Sequence, residues 1–209
     1  GYPVNLDFTS IFMEGKGDIS LLPSQIFTDK AGVIHSSGDK QSPWIGIAPF
    51  AAHKGKIYPI DKMEKVIQQL IHTYPQVRLY LFGGGKEETA IMNQWAETYP
   101  QVINASSQLN GLAQELNLMS QLQLMISMDS GNMHLASLVN TPVISIWGAT
   151  HPYAGFMGWN QDDANAVQVS LPCRPCSIYG NKPCLRGDYA CLNEIQPEEI
   201  INKVKFILQ

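Results

Sequence analysis

No stretch of this chain approaches the ~18 to 20 consecutive apolar residues that a bilayer-spanning helix needs. Its opening, GYPVNLDFTS, has no basic segment leading into an apolar one. The expectation is a soluble, cytoplasmic domain without a transmembrane segment. Basic residues are also scarce, with 14 Lys and Arg against 18 Asp and Glu and a net charge of −4, which excludes the broad cationic face that nucleic acid requires. Charged residues make up only 15% and apolar ones 44%, so neither a disordered chain nor a coiled coil is expected. A Walker loop is missing. The dinucleotide fingerprint fails because Glu88 stands where a third small residue should follow Gly83 and Gly85. The nucleophile elbow of serine hydrolases fails at Met128, two residues before Ser130.

Cysteine is absent outside one stretch, which holds Cys173, Cys176, Cys184 and Cys191. A Cys-x-x-Cys pair followed by two more thiols in a compartment that keeps them reduced resembles a four-thiolate structural zinc knuckle. Zinc ribbons usually repeat the close pair, and here the second pair is spread out, so reduced or paired thiols fit the spacing as well. Beyond structural zinc, no cofactor is expected.

What is present is alternation. From residue 43 onward, β-type runs (WIGIA, 44–48; VRLYLF, 77–82; VINA; LQLMIS; PVISIW, 142–147) alternate with segments of helical period. In IDKMEKVIQQLIHTY, for example, Met63, Val66, Ile67, Leu70 and Ile71 fall on one helical face. Five strands separated by 10 to 15-residue helices predict an α/β, Rossmann-like parallel sheet with helices on both faces. Residues 43–209 form this domain, with a Cys-rich loop at 173–191 and a closing helix, QPEEIINKVKFILQ, that starts acidic and ends basic as the helix dipole favours. Residues 1–42, rich in Gly, Ser, Asp and Lys, read as a linker or N-terminal extension.

Open parallel sheets bind ligands beyond the carboxyl ends of their strands. That rule puts PFAAHKGKIYP, GGGKEE, SSQLNG and MDSGNMH on one rim. The first N–H groups of a helix lack intrahelical partners and sit at the positive end of its dipole. Gly131, Asn132 and Met133, following Asp129 and Ser130, therefore present donors suited to phosphate. Asp129 or Ser130 serving only as an N-cap is the plainer alternative. His134 lies one turn into the same helix, as a ligand contact or as a packed or solvated side chain. His53, Lys54 and Lys56 crowd the turn after the first strand, either as phosphate contacts or as solvated surface. Glu87, at a helix mouth, accepts from ribose hydroxyls or complements the dipole.

Taken together, PFAAHKGKIYP, LFGGGKEE, NGLAQEL and DSGNMHLASLVNTPVISIWGATHP, with the cysteine cluster and IQPEEI after them, resemble the successive signatures of glycosyltransferase family 9 over residues 44–209. The resemblance implies a GT-B enzyme, two Rossmann-like halves across a cleft, with this chain as the C-terminal, donor-binding half. The implied donor is a nucleotide-diphosphate sugar, ADP-heptose, and the implied acceptor is a lipid-linked saccharide of the lipopolysaccharide core, held by the N-terminal half at the inner face of the cell membrane. By motif position, Lys56 corresponds to a lysine on donor phosphate, with Tyr58 in place of the family's tryptophan. Glu87 corresponds to the ribose acid, Asn110 to a turn beside the base, Ser130 and Gly131 to the diphosphate turn, and Asp129 and His134 to residues near the donor sugar. Ala51 and Ala52 stand where relatives carry hydroxyls. The implied reaction is an inverting transfer without a required metal, its general base in the N-terminal half. UDP-sugar 2-epimerases share the architecture and an Asp-Ser-Gly turn, but acidic residues follow theirs, whereas NMHLAS follows here. A non-catalytic interaction module is the third reading.

Overall fold

A computed structural model describes residues 15–29, 32–35, 38 and 40–209. The expected parallel sheet forms. β1 (Trp44–Ala48), β2 (Arg78–Leu81), β3 (Val102–Asn104), β4 (Leu124–Met128), β5 (Val143–Ile146) and β6 (Ala166–Val167) make one sheet in the order β3-β2-β1-β4-β5-β6. Every pairing is parallel, with Ile45 opposite Leu79 on one side and Leu124 on the other. β6, two residues long, was not expected from the sequence.

Helices cover both faces because each strand is apolar on both. In β1, Ile45 and Ile47 point to one face and Trp44 and Ala48 to the other, the period of two that a strand imposes. The first face is covered by α1 (Ile60–Thr73) through Met63 and Val66, α2 (Lys86–Thr98) through Met92 and Trp95, and α6 (Pro197–Leu208) through Ile200 and Val204. The second is covered by α3 (Leu112–Gln121) through Leu118 and Met119 and by α4 (Gly131–Leu138) through Met133 and Ala136. A short helix, α5 (Ala190–Asn193), precedes α6. At the start of α6, Gln196 and Glu199 form a reciprocal capping box, satisfying two otherwise orphaned N–H groups.

On the second face, the side chains of β1 and β2 share their core with α3 and with a stretch that precedes β1. Part of the 1–42 segment lies there. Leu22 and Ile26 are buried in that face's core, and Phe27 stacks on Trp44 with ring centroids 5.5 Å apart. The Ile26 carbonyl accepts from the Arg78 guanidinium at 3.2 Å and from the Tyr80 hydroxyl at 3.4 Å. Arg78 is 3% exposed, a burial that such hydrogen bonding makes tolerable. Among the described residues, no helix is long and apolar enough to cross a membrane.

Candidate functional site

The strand order reverses direction between β1 and β4, and in such sheets the crevice at that point, beyond the carboxyl ends of the strands, is the ligand site. Here the turn after β1 (residues 49–57) meets the turn from β4 into α4. The former contains a short 3-10 segment, Lys54–Lys56, and the latter consists of Asp129 and Ser130. Two pockets open at the junction, of about 260 and 240 Å³, both lined by Ala52, Ser130 and Gly131. The α4 N-terminus lies between them.

Lys56 and Asp129 are an ion pair. The ammonium lies 2.9 Å from the carboxylate, with the side chains 16% and 4% exposed. The Thr150 hydroxyl donates to the same carboxylate oxygen at 2.8 Å. The positive charge expected of Lys56 is thus locally balanced, and the buried Asp129 acts first as the group that aims the ammonium. Behind Lys56, Tyr58 is fully buried, its hydroxyl donating to the Ile195 carbonyl at 3.1 Å. Burial, then the charges of Glu199, Glu198 and Asp61, push its phenol well above the ordinary range. Tyr58 stays neutral and pins the turn carrying Lys56 to the α5–α6 corner.

Ser130 precedes α4 in extended conformation, and its side chain makes no capping hydrogen bond to the helix. Its hydroxyl is instead 3.3 Å from that of Ser127. The N-cap reading therefore fails for the Ser130 side chain, while Met133 N–H is satisfied by the Ser130 carbonyl at 3.2 Å. Gly131 and Asn132 open the helix at the cleft, and a Cβ built on Gly131 meets nothing within 4 Å.

The smaller pocket gathers Lys56, Asp129, His134, Phe156 and Tyr179. The larger is bordered by Phe50, Ala51 and Leu135, by Gly83 and Gly84, and by the carboxylates Glu88 and Glu115. The structure thus brings together Lys56, Asp129, Ser130, Gly131, Asn132 and His134. Glu87 and Asn110 are exposed on the same rim but outside the lining of either pocket. Glu88, held by the Gly84 N–H at 2.9 Å, faces the cleft in place of Glu87. Glu115 is half-buried, and desolvation raises its carboxyl above the usual range. Thr150, Glu88, Glu115, Phe156 and Tyr179 are members of the site that the sequence did not single out. Lys54, by contrast, places its ammonium 5.1 Å over the Tyr189 ring, away from the pockets.

The Cys-rich loop is part of this wall. Cys176 and Ser177 N–H groups both donate to the Ala149 carbonyl, at 3.1 and 3.3 Å. Gly180, at φ +74°, lies so close to the Lys56 stem that a Cβ there would sit 2.5 Å from its Cγ. The four thiols of the loop lie near one another around Arg174. All four thiols are free, and among the described residues no three His, Cys, Asp or Glu side chains are grouped to hold a metal ion. Cys191 is instead buried in the core beside Leu192 and Ile195. Arg174 stands among the thiols, donating to the Gly148 and Thr150 carbonyls at 2.5 and 2.9 Å.

A parallel sheet with a phosphate-sized cleft is shared by many enzymes, and comparison with known proteins narrows it. The family model described as glycosyltransferase family 9 (heptosyltransferase) matches residues 19–184. The chain belongs to glycosyltransferase family 9. It is 26% identical over 137 residues to a lipooligosaccharide heptosyltransferase 2 of Campylobacter jejuni, covering 63% of this chain and 41% of that protein. It is 26% identical over 162 residues to a lipopolysaccharide heptosyltransferase 1 of Campylobacter coli, covering 74% and 44%. Among solved structures, the Escherichia coli ADP-heptose lipopolysaccharide heptosyltransferase II superposes with a TM-score of 0.60 at 20% identity, over 83% of this chain and 48% of that one. The E. coli heptosyltransferase WaaC with ADP gives 0.57 at 17% identity, over 81% and 46%. The chain spans less than half the length of these glycosyltransferase family 9 relatives.

Proposed function

We propose that this domain holds the nucleotide diphosphate of a sugar donor at the β1/β4 crevice, for transfer of the sugar to a saccharide acceptor. The donor proposed is ADP-heptose and the acceptor a lipopolysaccharide core saccharide on a lipid, following the names of the relatives. One observation carries the reading: the Lys56 ammonium and the open N-terminus of α4 border the same cleft. A helix N-terminus carries roughly half a positive charge, and an ammonium paired with one carboxylate oxygen keeps further N–H donors for a ligand.

The charges orient the donor. Glu88 and Glu115 repel phosphate from the larger pocket, while their oxygens accept hydrogen bonds from ribose hydroxyls and the Phe50 and Leu135 surfaces take the base. The diphosphate then lies across Gly131 and Asn132, with its outer phosphate toward Lys56, and the sugar enters the smaller pocket beside His134. In the transfer, an acceptor oxygen forms a bond to the anomeric carbon. The bond from that carbon to the outer phosphate oxygen breaks, and the nucleotide diphosphate keeps the electron pair. Lys56 and the α4 amides stabilise that growing charge. The acceptor proton passes to a base outside this chain.

Calorimetric titration of the domain with ADP, GDP and UDP tests the reading. Saturable binding is expected, tightest for ADP. No binding of any nucleoside diphosphate at millimolar concentration would overturn it.

A further inference from the structure

The smaller pocket has a wall that phosphate chemistry does not explain. Phe156 and Tyr179 flank the mouth beyond Lys56, their ring centroids 5.9 Å apart and their planes tilted by 46°. Tyr179 remains 60% exposed, so its ring is open to a ligand in the smaller pocket that it lines. Its loop is not loosely hung. Ser177 is buried with its N–H on the Ala149 carbonyl, its hydroxyl accepts from the Gly180 N–H at 2.9 Å, and it donates to the Asn181 side-chain Oδ1 at 3.1 Å. Gly180 then locks against the stem of Lys56. The segment after Cys176 is thereby fastened to the residue that faces the outer phosphate.

We infer that Tyr179, with Phe156 behind it, is the stacking wall of the donor-sugar subsite, so that the cysteine-bearing loop sets sugar recognition. This rests on the proposed donor reading. A pyranose ring has a polar edge of hydroxyls and a face of polarised C–H bonds. The pocket supplies the matching pair, an aromatic surface on one side and Asp129 and His134 on the other. A ring fixed by a hydrogen-bonded loop loses little freedom on binding, and the phenol is held within reach of a group attached at the phosphate beside Lys56.

The test compares ADP with ADP-heptose as calorimetric ligands for the chain and for two variants, Tyr179→Ala and Tyr179→Phe. Tyr179→Ala should weaken ADP-heptose about three- to tenfold, the range of one aromatic contact, and leave ADP affinity unchanged. Tyr179→Phe should restore the sugar-dependent increment. Equal loss for both ligands, or no loss for either, overturns the stacking wall while leaving the donor reading in place. Failure of the unmodified chain to bind either ligand overturns both.

Discussion

Lys56, Asp129 and Thr150 offer the sharpest test of how the site is held. Replacing Lys56 with Met leaves the Asp129 carboxylate, on a side chain only 4% exposed, with the Thr150 hydroxyl as its one remaining side-chain partner in the triad. An exposed ion pair is worth roughly 0–1 kcal/mol, whereas removing one partner of a buried pair costs about 3–5 kcal/mol. With the lysine 16% exposed, the expected loss lies between these, about 2–4 kcal/mol, or roughly 5–15 °C in Tm for a domain of this size. Asp129→Asn should cost less, because an ammonium at the cleft mouth reaches water. The double variant should be more stable than the sum of the two losses implies, with a coupling of about 2 kcal/mol in a denaturation cycle. ADP affinity reads the other role of the lysine: losing a charge-assisted contact should weaken it about 10- to 100-fold. Additivity of the two single losses within about 0.5 kcal/mol would refute the buried-pair argument. Unchanged ADP affinity in Lys56→Met would refute the placement of phosphate.

Two glycines should separate folding from binding. Gly131→Ala meets no neighbour, so Tm should hold or rise slightly while calorimetry shows weaker ADP binding, because the new methyl intrudes on the helix mouth. Gly148→Ala puts a Cβ 2.4 Å from the Gly55 carbonyl oxygen and should lose about 1–3 kcal/mol in a denaturant melt. Burial raises the folded-state pKa of Glu115 above its ordinary value near 4.5, so its favourable contribution is fully present below that value and is lost as pH rises through the folded pKa. Glu115→Gln should therefore raise Tm at pH 7, and the gain should fade on acidification toward pH 4; a gain independent of pH would contradict this. Among the thiols, backbone N–H donors from Tyr189, and then Arg186 and Gly187, lower Cys184, while burial raises Cys191. Alkylation followed by mass spectrometry should label Cys184 at lower pH than Cys191, and the reverse order would refute that assignment.

The sheet was legible because its signal is local. Each strand is a short apolar run and each helix repeats at 3.6 residues, so Met63, Val66 and Leu70 announce α1 without reference to anything distant. β6 escaped because Ala166 and Val167 carry no period. In the cleft, the sequence marked the residues that follow strands directly, Lys56 and Asp129 through His134, because topology alone places them. It did not show that Lys56 and Asp129 neutralise each other, nor that Thr150 completes the triad, because those contacts join three separate turns. Glu87 and Glu88 differ by one helical step, about 100° around the axis, and only the way α2 docks decides which faces the pocket. Phe156 and Tyr179 lie on loops without periodicity. The four cysteines stay neighbours in the fold, but their spacing did not show that Cys191 is buried in the core or that Arg174 stands among them.

The segment carrying Leu22 and Ile26 acts as a roof tile. On that side Trp44, Tyr80 and Phe82 share a core with α3 and with this short stretch, which adds a few apolar side chains and one carbonyl. A shortened chain starting at β1 would keep every strand and cleft residue, yet strip Phe27 from Trp44 and the Ile26 carbonyl from Tyr80 and the Arg78 guanidinium. Such a fragment should clump rather than stay monomeric, so the smallest well-behaved unit includes the stretch that carries Leu22, Ile26 and Phe27.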